Sequence, residues 1–255
     1  MTPILELKNI NYSYHTPEGE TKALSGISFS LTPGEFTAVV GPSGCGKSTL
    51  LSLIAGLMKP ESGEIFLDGE PLTENSSKIG YMLQHDHLFE WRSVYRNVVL
   101  GLEITGALNA ETKAEAEALL GQYGLLPFDR SRPSELSGGM RQRAALIRTL
   151  LLKPELLLLD EPFSALDYQT RLTVSDDIGQ IIRRTGKTAL LVTHDLSEAV
   201  SLSDRVIILS KRPASIARIV PVTFALEKDT PLNRRNAPEF KNYFNEIWKE
   251  LNHDE

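Results

Sequence analysis

Residues 41–49 read G-P-S-G-C-G-K-S-T, a glycine-rich loop that ends in a lysine and two hydroxyls. Gly41, Gly44 and Gly46 let successive amides curl round a phosphate chain, with Pro42, Ser43 and Cys45 completing the loop. Lys47 reaches the terminal phosphates as a point charge, and Ser48 is placed to ligate Mg2+. Thr49 follows in the first helical turn, where amides point at the anion. The apolar run F-T-A-V-V before the loop reads as a strand, and residues 48–57 after it as a helix that stops near Lys59-Pro60. Strand, loop and helix in this order are the context that a P-loop requires, so an α/β nucleotide-binding core is expected.

Working outward, L-L-L-L-D-E at residues 156–161 is an apolar strand ending in two carboxylates. Asp160 is in position to order Mg2+ through water, and Glu161 to polarise the water that attacks a terminal phosphate. Neighbours at a strand end diverge, so one carboxylate can serve the metal and the other the nucleophile. His194 ends the strand 189–193 and is expected on the same edge of a parallel sheet, where ligands collect. There it can donate to the terminal phosphate or hold Glu161 and water. Gln84 ends the strand 79–83 where a helical segment begins. Its amide is placed to touch Mg2+ or water, which makes it a sensor of nucleotide state. Tyr14 can return an aromatic face to adenine, with Tyr12 competing at alternate spacing. His85 and His87 lack such support.

L-S-G-G-M at 136–140 completes the set. Ser137, Gly138 and Gly139 open a helix whose first amides can bind an anion. Nothing nearby supplies a lysine or a metal ligand, so this corner complements a phosphate site built elsewhere. A second copy placed head to tail would bring each corner to the other's ATP and bury two nucleotides about a twofold axis. Asp167, in S-A-L-D, is placed to cross that seam.

Size and composition set the limits. The chain has 255 residues, 41% of them hydrophobic, which suits one sizeable folded domain. Its net charge of -6 offers no overall field for nucleic acid or acidic lipid. Cys45 is the only cysteine, which excludes an internal disulfide and suits a reducing cytosol. No secretory signal is apparent. The longest apolar runs fall far short of the roughly 20 residues that span a bilayer, so a membrane role would come through a partner. Early strands are expected at 4–7, 26–31 and 64–67. From 85 to 153 the pattern turns helical, with helices at 110–123 and from Ser137 through 152. A further helix is expected at 167–184 and a strand at 206–209. Residues 233–248 suit either a terminal helix or an aromatic segment docked on the body.

These motifs together resemble the ATP-hydrolysing subunit of ATP-binding cassette (ABC) transporters over nearly the whole chain. The resemblance makes residues 41–49 the Walker A loop, Gln84 the Q-loop and 136–140 the signature. It makes 156–160 the Walker B strand with catalytic Glu161, 164–167 the D-loop and His194 the H-loop residue, with Tyr14 the adenine-stacking aromatic. It implies an α/β P-loop NTPase core with an antiparallel β subdomain and a helical subdomain. In those terms residues 1–255 form one ABC ATPase domain, with a nucleotide-binding core at 1–84 and 154–220. The helical signature subdomain is 85–153 and a short C-terminal extension is 221–255.

The resemblance also implies ATP and Mg2+, a second copy of the chain, and membrane permease subunits at the cytoplasmic face of the membrane. Phe89 and Trp91, with Arg92 beside them, are offered as the permease contact; local packing of the insertion is the other reading of Trp91. E-P-F-S-A-L-D-Y-Q-T-R and T-H-D-L-S-E-A-V-S-L-S-D-R-V-I-I-L-S-K-R-P are similar to importers of nitrate, sulfonate, taurine or thiamine-precursor pyrimidines. That group commonly has L-P-W where this chain has Phe89-Glu90-Trp91. Such importers also use an extracytoplasmic solute-binding protein. The alternative is a soluble ABC ATPase acting on nucleic acid or ribosomes. Against it stand the short span of about a hundred residues between Lys47 and Asp160 and the single ATPase half.

Overall fold

Two kinds of strand occur in this chain, and they build two kinds of sheet. In the computed structural model, which describes residues 2–17, 19–72 and 76–252, the chain opens with β1 (Leu5–Thr16), β2 (Gly19–Leu31) and β3 (Phe36–Val40). Helix α1 (Lys47–Ile54), β4 (Ser62–Leu67) and β5 (Glu70–Pro71) follow. Next come β6 (Ile79–Met82), α2 (Val94–Val98), α3 (Leu100–Thr105), α4 (Ala110–Gln122) and α5 (Gly138–Leu150). Then β7 (Leu156–Asp160), α6 (Tyr168–Arg184), β8 (Thr188–Val192), α7 (Leu196–Leu202) and β9 (Arg205–Leu209) lead to the end. The last elements are β10 (Ile216–Pro221), α8 (Pro231–Asn236) and α9 (Pro238–Leu251). The chain divides into two compact units, Met1–Ser76 with Gly179–Glu255, and Ser77–Ile178.

In the first unit, alternation builds an antiparallel sheet in the order β2-β1-β4-β5. Leu5 and Leu7 are buried while Glu6 and Lys8 are not, the period-two pattern of a sheet with one wet face. This is the antiparallel part that the family resemblance implies. β3 and β8 are instead buried at each position, as parallel strands covered on both faces are. They run in the order β10-β9-β3-β8, with β3 parallel to both neighbours and β10 antiparallel at the edge. Ala38, Val40, Val206 and Ile208 from these strands share a core with Ala199 and Val200 of α7 and with Ile247 of α9.

The second unit holds β6 parallel to β7, with Gly80 opposite Leu157. A Cβ at Gly80 would stand 2.6 Å from the Thr149 methyl, so glycine here lets α5 lie close on the strand. The helical stretch expected at 85–153 lies within this unit, which also takes in β6 and β7.

Several expected boundaries shift for local reasons. The strands expected at 4–7 and 26–31 form one long hairpin pair, since Tyr14 pairs with Thr21 and Thr16 with Gly19 well beyond the apolar core. The helix expected at 48–57 starts at Lys47 and stops at Ile54, ahead of the left-handed Gly56. The terminal segment is both helical and docked. It forms two helices, with Pro238 opening the second, and Phe240, Tyr243 and Phe244 pack on the core. The last three residues of the expected extension lie outside the described residues.

Candidate nucleotide site

In the first unit, β3 delivers the chain at Val40 into the glycine loop and α1 takes it away. Gly46 sits at φ 128°, and a Cβ there would come within 2.9 Å of the Leu24 side chain and 3.2 Å of the Ala23 carbonyl. Only glycine allows both that dihedral and that approach. No side chain caps α1, and its first turn carries no acidic residue of its own, so the positive end of its dipole faces the loop. Lys47 is buried to 7% exposure, and its ammonium donates to the Gly41 carbonyl at 2.8 Å and the Pro42 carbonyl at 3.0 Å. Cys45 is also buried; burial pushes its thiol pKa up, against the pull of the Lys47 charge.

Tyr14 is brought to this loop by β1. Its hydroxyl lies 2.8 Å from that of Thr49, and its ring meets the edge of Tyr12 at 5.1 Å. Tyr14 is the more exposed of the two, with 38% of its surface open. Between the alternatives, Tyr14 is thus the ring tied to the phosphate loop.

His194 reaches the same edge. Val39 pairs with Val192, and the Thr193 amide donates to the Val39 carbonyl, so the chain reaches His194 beside the point where β3 enters the loop. A support for His194 escaped the sequence reading. The Thr193 hydroxyl donates to the buried Glu198 carboxylate at 2.7 Å, and Asp195 caps α7 by accepting from the Ser197 and Glu198 amides. The spacing D-x-x-E after the strand was the available signal.

In the second unit, Met82 pairs with Leu159, so Gln84 and the Asp160-Glu161 pair leave the sheet at one end. The Gln84 amide donates to the Ser164 hydroxyl at 3.3 Å, and that hydroxyl donates to the Glu161 carbonyl at 3.0 Å. The Tyr81 hydroxyl reaches an Asp160 carboxylate oxygen at 3.3 Å. Glu161 has φ 43°, a left-handed conformation that is uncommon for a residue with a side chain and concentrates at functional sites.

Ser137 caps α5, its hydroxyl oxygen accepting from the Met140 amide at 3.3 Å. A Cβ at Gly138 would meet Leu166 at 2.8 Å, and one at Gly139 would meet Val174 at 2.6 Å. These glycines therefore also serve internal packing, a reason that the sequence did not disclose. Asp167 caps α6 by accepting from the Thr170 amide at 3.1 Å, and hydrogen bonds from Thr170, the side chain's first and the amide's second, hold its carboxyl below the usual carboxylate range.

The ABC transporter family model matches residues 24–164, from within β2 to Ser164 just beyond β7. The chain belongs to the ABC transporter family. It is an ATP-hydrolysing enzyme with the α/β P-loop fold of ABC cassettes. It is 45% identical over 248 residues to the ABC transporter ATP-binding protein YtlC of Bacillus subtilis, covering 97% of this chain and 95% of that one. It is 41% identical to the nitrate import ATP-binding protein NrtD of Synechocystis, over 95% of this chain and 93% of the relative. With the taurine import ATP-binding protein TauB of Roseobacter denitrificans the figure is 38%, over 96% and 94%. Among solved structures, it superposes with TM-score 0.74 and 31% identity on the dimeric cassette MJ0796 in a post-hydrolysis state bound to ADP and Pi. The match covers 86% of this chain and 99% of that one. Among the described residues, no helix of this ABC ATPase is long and apolar enough to cross a membrane.

Proposed function

We propose that this ATPase works as a head-to-tail pair at the cytoplasmic face of a membrane and powers import of a small solute through a permease. The solute is a nitrate-, sulfonate- or taurine-like anion or a thiamine-precursor pyrimidine, delivered by an extracytoplasmic binding protein. The observation that carries this reading is the near full-length similarity to two import subunits, for nitrate and for taurine, in a chain that retains the whole motif set.

In this reading the loop 41–49 and the start of α1 cradle the phosphates, and Lys47 transfers its two hydrogen bonds from Gly41 and Pro42 to phosphate oxygens. Tyr14 stacks on the base. Ser48, Asp160 and Gln84 supply hydroxyl, carboxylate and amide oxygens, hard donors of the kind that suit Mg2+. The ion supplies charge neutralisation across the phosphates. Glu161 orients the attacking water and takes its proton, while His194 donates to the terminal phosphate. Ser137, Gly138 and Gly139 act on the nucleotide of the second copy, and Asp167 bridges the two. Trp91 is 74% exposed and stacks on Phe89 with ring centroids 4.6 Å apart. That exposed pair is the proposed contact for the permease.

Purification of the native assembly from membranes tests the reading. Recovery of a permease whose reconstituted complex takes up one of these solutes with ATP turnover is expected. Recovery with nucleic acid or ribosomes, and no membrane partner, would overturn it.

A further inference from the structure

The segment that follows Gln84 is held at both ends, and its holders have no place in the reaction described above. Arg148, near the end of α5, donates from Nη1 to the His87 carbonyl at 2.8 Å and from Nη2 to the Asp86 carbonyl at 2.7 Å. Arg141 stands two helical turns earlier and so on the same face of α5. Its Nε reaches the Asp86 carboxylate at 3.2 Å, and its Nη1 reaches the Leu136 carbonyl at 3.4 Å, at the threshold of the signature. The other Asp86 oxygen accepts the Leu88 amide at 3.0 Å. At the next residue, Phe89, the wholly buried Asn97 of α2 accepts from the amide at 2.7 Å and donates to the carbonyl at 3.0 Å. His87 itself has φ 45°, a conformation that persists only where its surroundings over-determine it.

We propose that Arg148, with Arg141, is a positioning residue that makes the Gln84 segment and helix α5 move together. A change felt at Gln84 then reaches the Ser137 corner and the exposed Phe89–Trp91 pair in one displacement. A planar guanidinium spanning two successive carbonyls resists rotation of the segment about its own axis, which a single-point contact does not. Two guanidinium contacts along one helix face also fix the direction of the segment. The residues that address the second copy's nucleotide and those exposed toward a partner are thus attached to one helix. The proposal rests on the reading of Gln84 as the nucleotide sensor, and its test separates the two.

The protein reports on itself, because it has two tryptophans, Trp91 and Trp248. In a Trp248→Phe chain the emission of Trp91 is followed during titration with Mg-ATP, while ATP binding is measured separately by filter retention. The parent should respond. Arg148→Met should bind ATP as the parent does yet lose the Trp91 response, with kcat lowered roughly ten- to a hundredfold and KM little changed. Arg148→Lys retains the charge but cannot span two carbonyls, so it should lose most of the response as well; it also serves where Arg148→Met does not fold. A Trp91 response that survives both variants overturns the proposal, as does parallel loss of ATP binding, which would make Arg148 only a prop for the fold. A parent that hydrolyses ATP without any Trp91 response also overturns it. A parent that does not hydrolyse ATP overturns the functional reading as well.

Discussion

The hydroxyl of Tyr14 lies 2.8 Å from the hydroxyl of Thr49, so the long hairpin strand β1 is fastened to the last residue of the phosphate loop. The bond fixes where the Tyr14 ring stands relative to the nucleotide cradle, and the edge of Tyr12 limits its tilt. Tyr14→Phe keeps the ring and loses the tether, so ATP affinity should fall only slightly. Tyr14→Ala removes the stacking face and should weaken ATP binding about tenfold, since base stacking on an aromatic contributes roughly 1–3 kcal/mol. Calorimetric titration with ATP distinguishes the two. Equal losses for both variants would mean that the hydroxyl, not the ring, matters.

Glu161→Gln removes the proposed proton acceptor and preserves the shape of the strand end. Turnover should drop by roughly 10²–10⁴-fold while ATP is still bound, and paired chains should accumulate with ATP in size-exclusion chromatography. Lys47→Ala should behave differently. Its ammonium is the proposed phosphate contact, so binding itself should suffer. Parent-like turnover in Glu161→Gln, or undiminished ATP affinity in Lys47→Ala, would remove the role assigned to that residue.

Ser137→Arg tests whether the signature corner meets a second nucleotide. Ser137 is exposed and its hydroxyl caps α5. Replacement should cost the single chain no more than a helix cap, about 1 kcal/mol. ATP binding by the monomer should survive. An arginine forced into a closed interface costs about 1–3 kcal/mol or more, so ATP-induced pairing and turnover should fall at least about tenfold. Normal hydrolysis by this variant would mean that each chain completes its own site.

How far the sequence could lead is set by where the chemistry is written. The phosphate loop was legible because its glycines, lysine and hydroxyls are contiguous and framed by a strand and a helix. Fully buried strands such as β7 and β8 were legible as unbroken apolar runs. Helix α7 was missed because it has seven residues and almost all are buried, so it shows no polar face. Strand β10 was missed because it is a short edge with Arg218 in its middle and Pro221 at its end. The Arg141 and Arg148 contacts were invisible for another reason. Three of their four acceptors are backbone carbonyls, which any residue carries, so the partner leaves no mark in the sequence. The same holds for Gly138 and Gly139, whose second task is to admit Leu166 and Val174.

Within the first unit, the C-terminal helices are fastened to the end of α7 by a charge that is almost wholly buried. Arg234 is 3% exposed; its Nη1 donates to the Ser203 carbonyl at 2.7 Å, and its Nη2 and Nε bind both oxygens of Asp229. Asp204 is a more distant partner at 3.7 Å, and the guanidinium lies over the Phe224 ring. The hydrogen bonds from Arg234 hold the Asp229 carboxyl below its ordinary range, against the opposing effect of burial. Its folded pKa is therefore lower than its unfolded one. The stabilisation is present in full above the unfolded value, near 4, and is lost as pH falls through the folded one. Asp229→Asn should lower stability at neutral pH by about 1 kcal/mol, the low end for a bond to a charged group, because the Asp229 side chain is 42% exposed and screened by solvent. The difference between parent and variant, measured by thermal unfolding, should shrink steadily as the buffer is taken below about pH 4. A difference that is the same at neutral and acid pH would show that the ion pair contributes no pH-dependent stability.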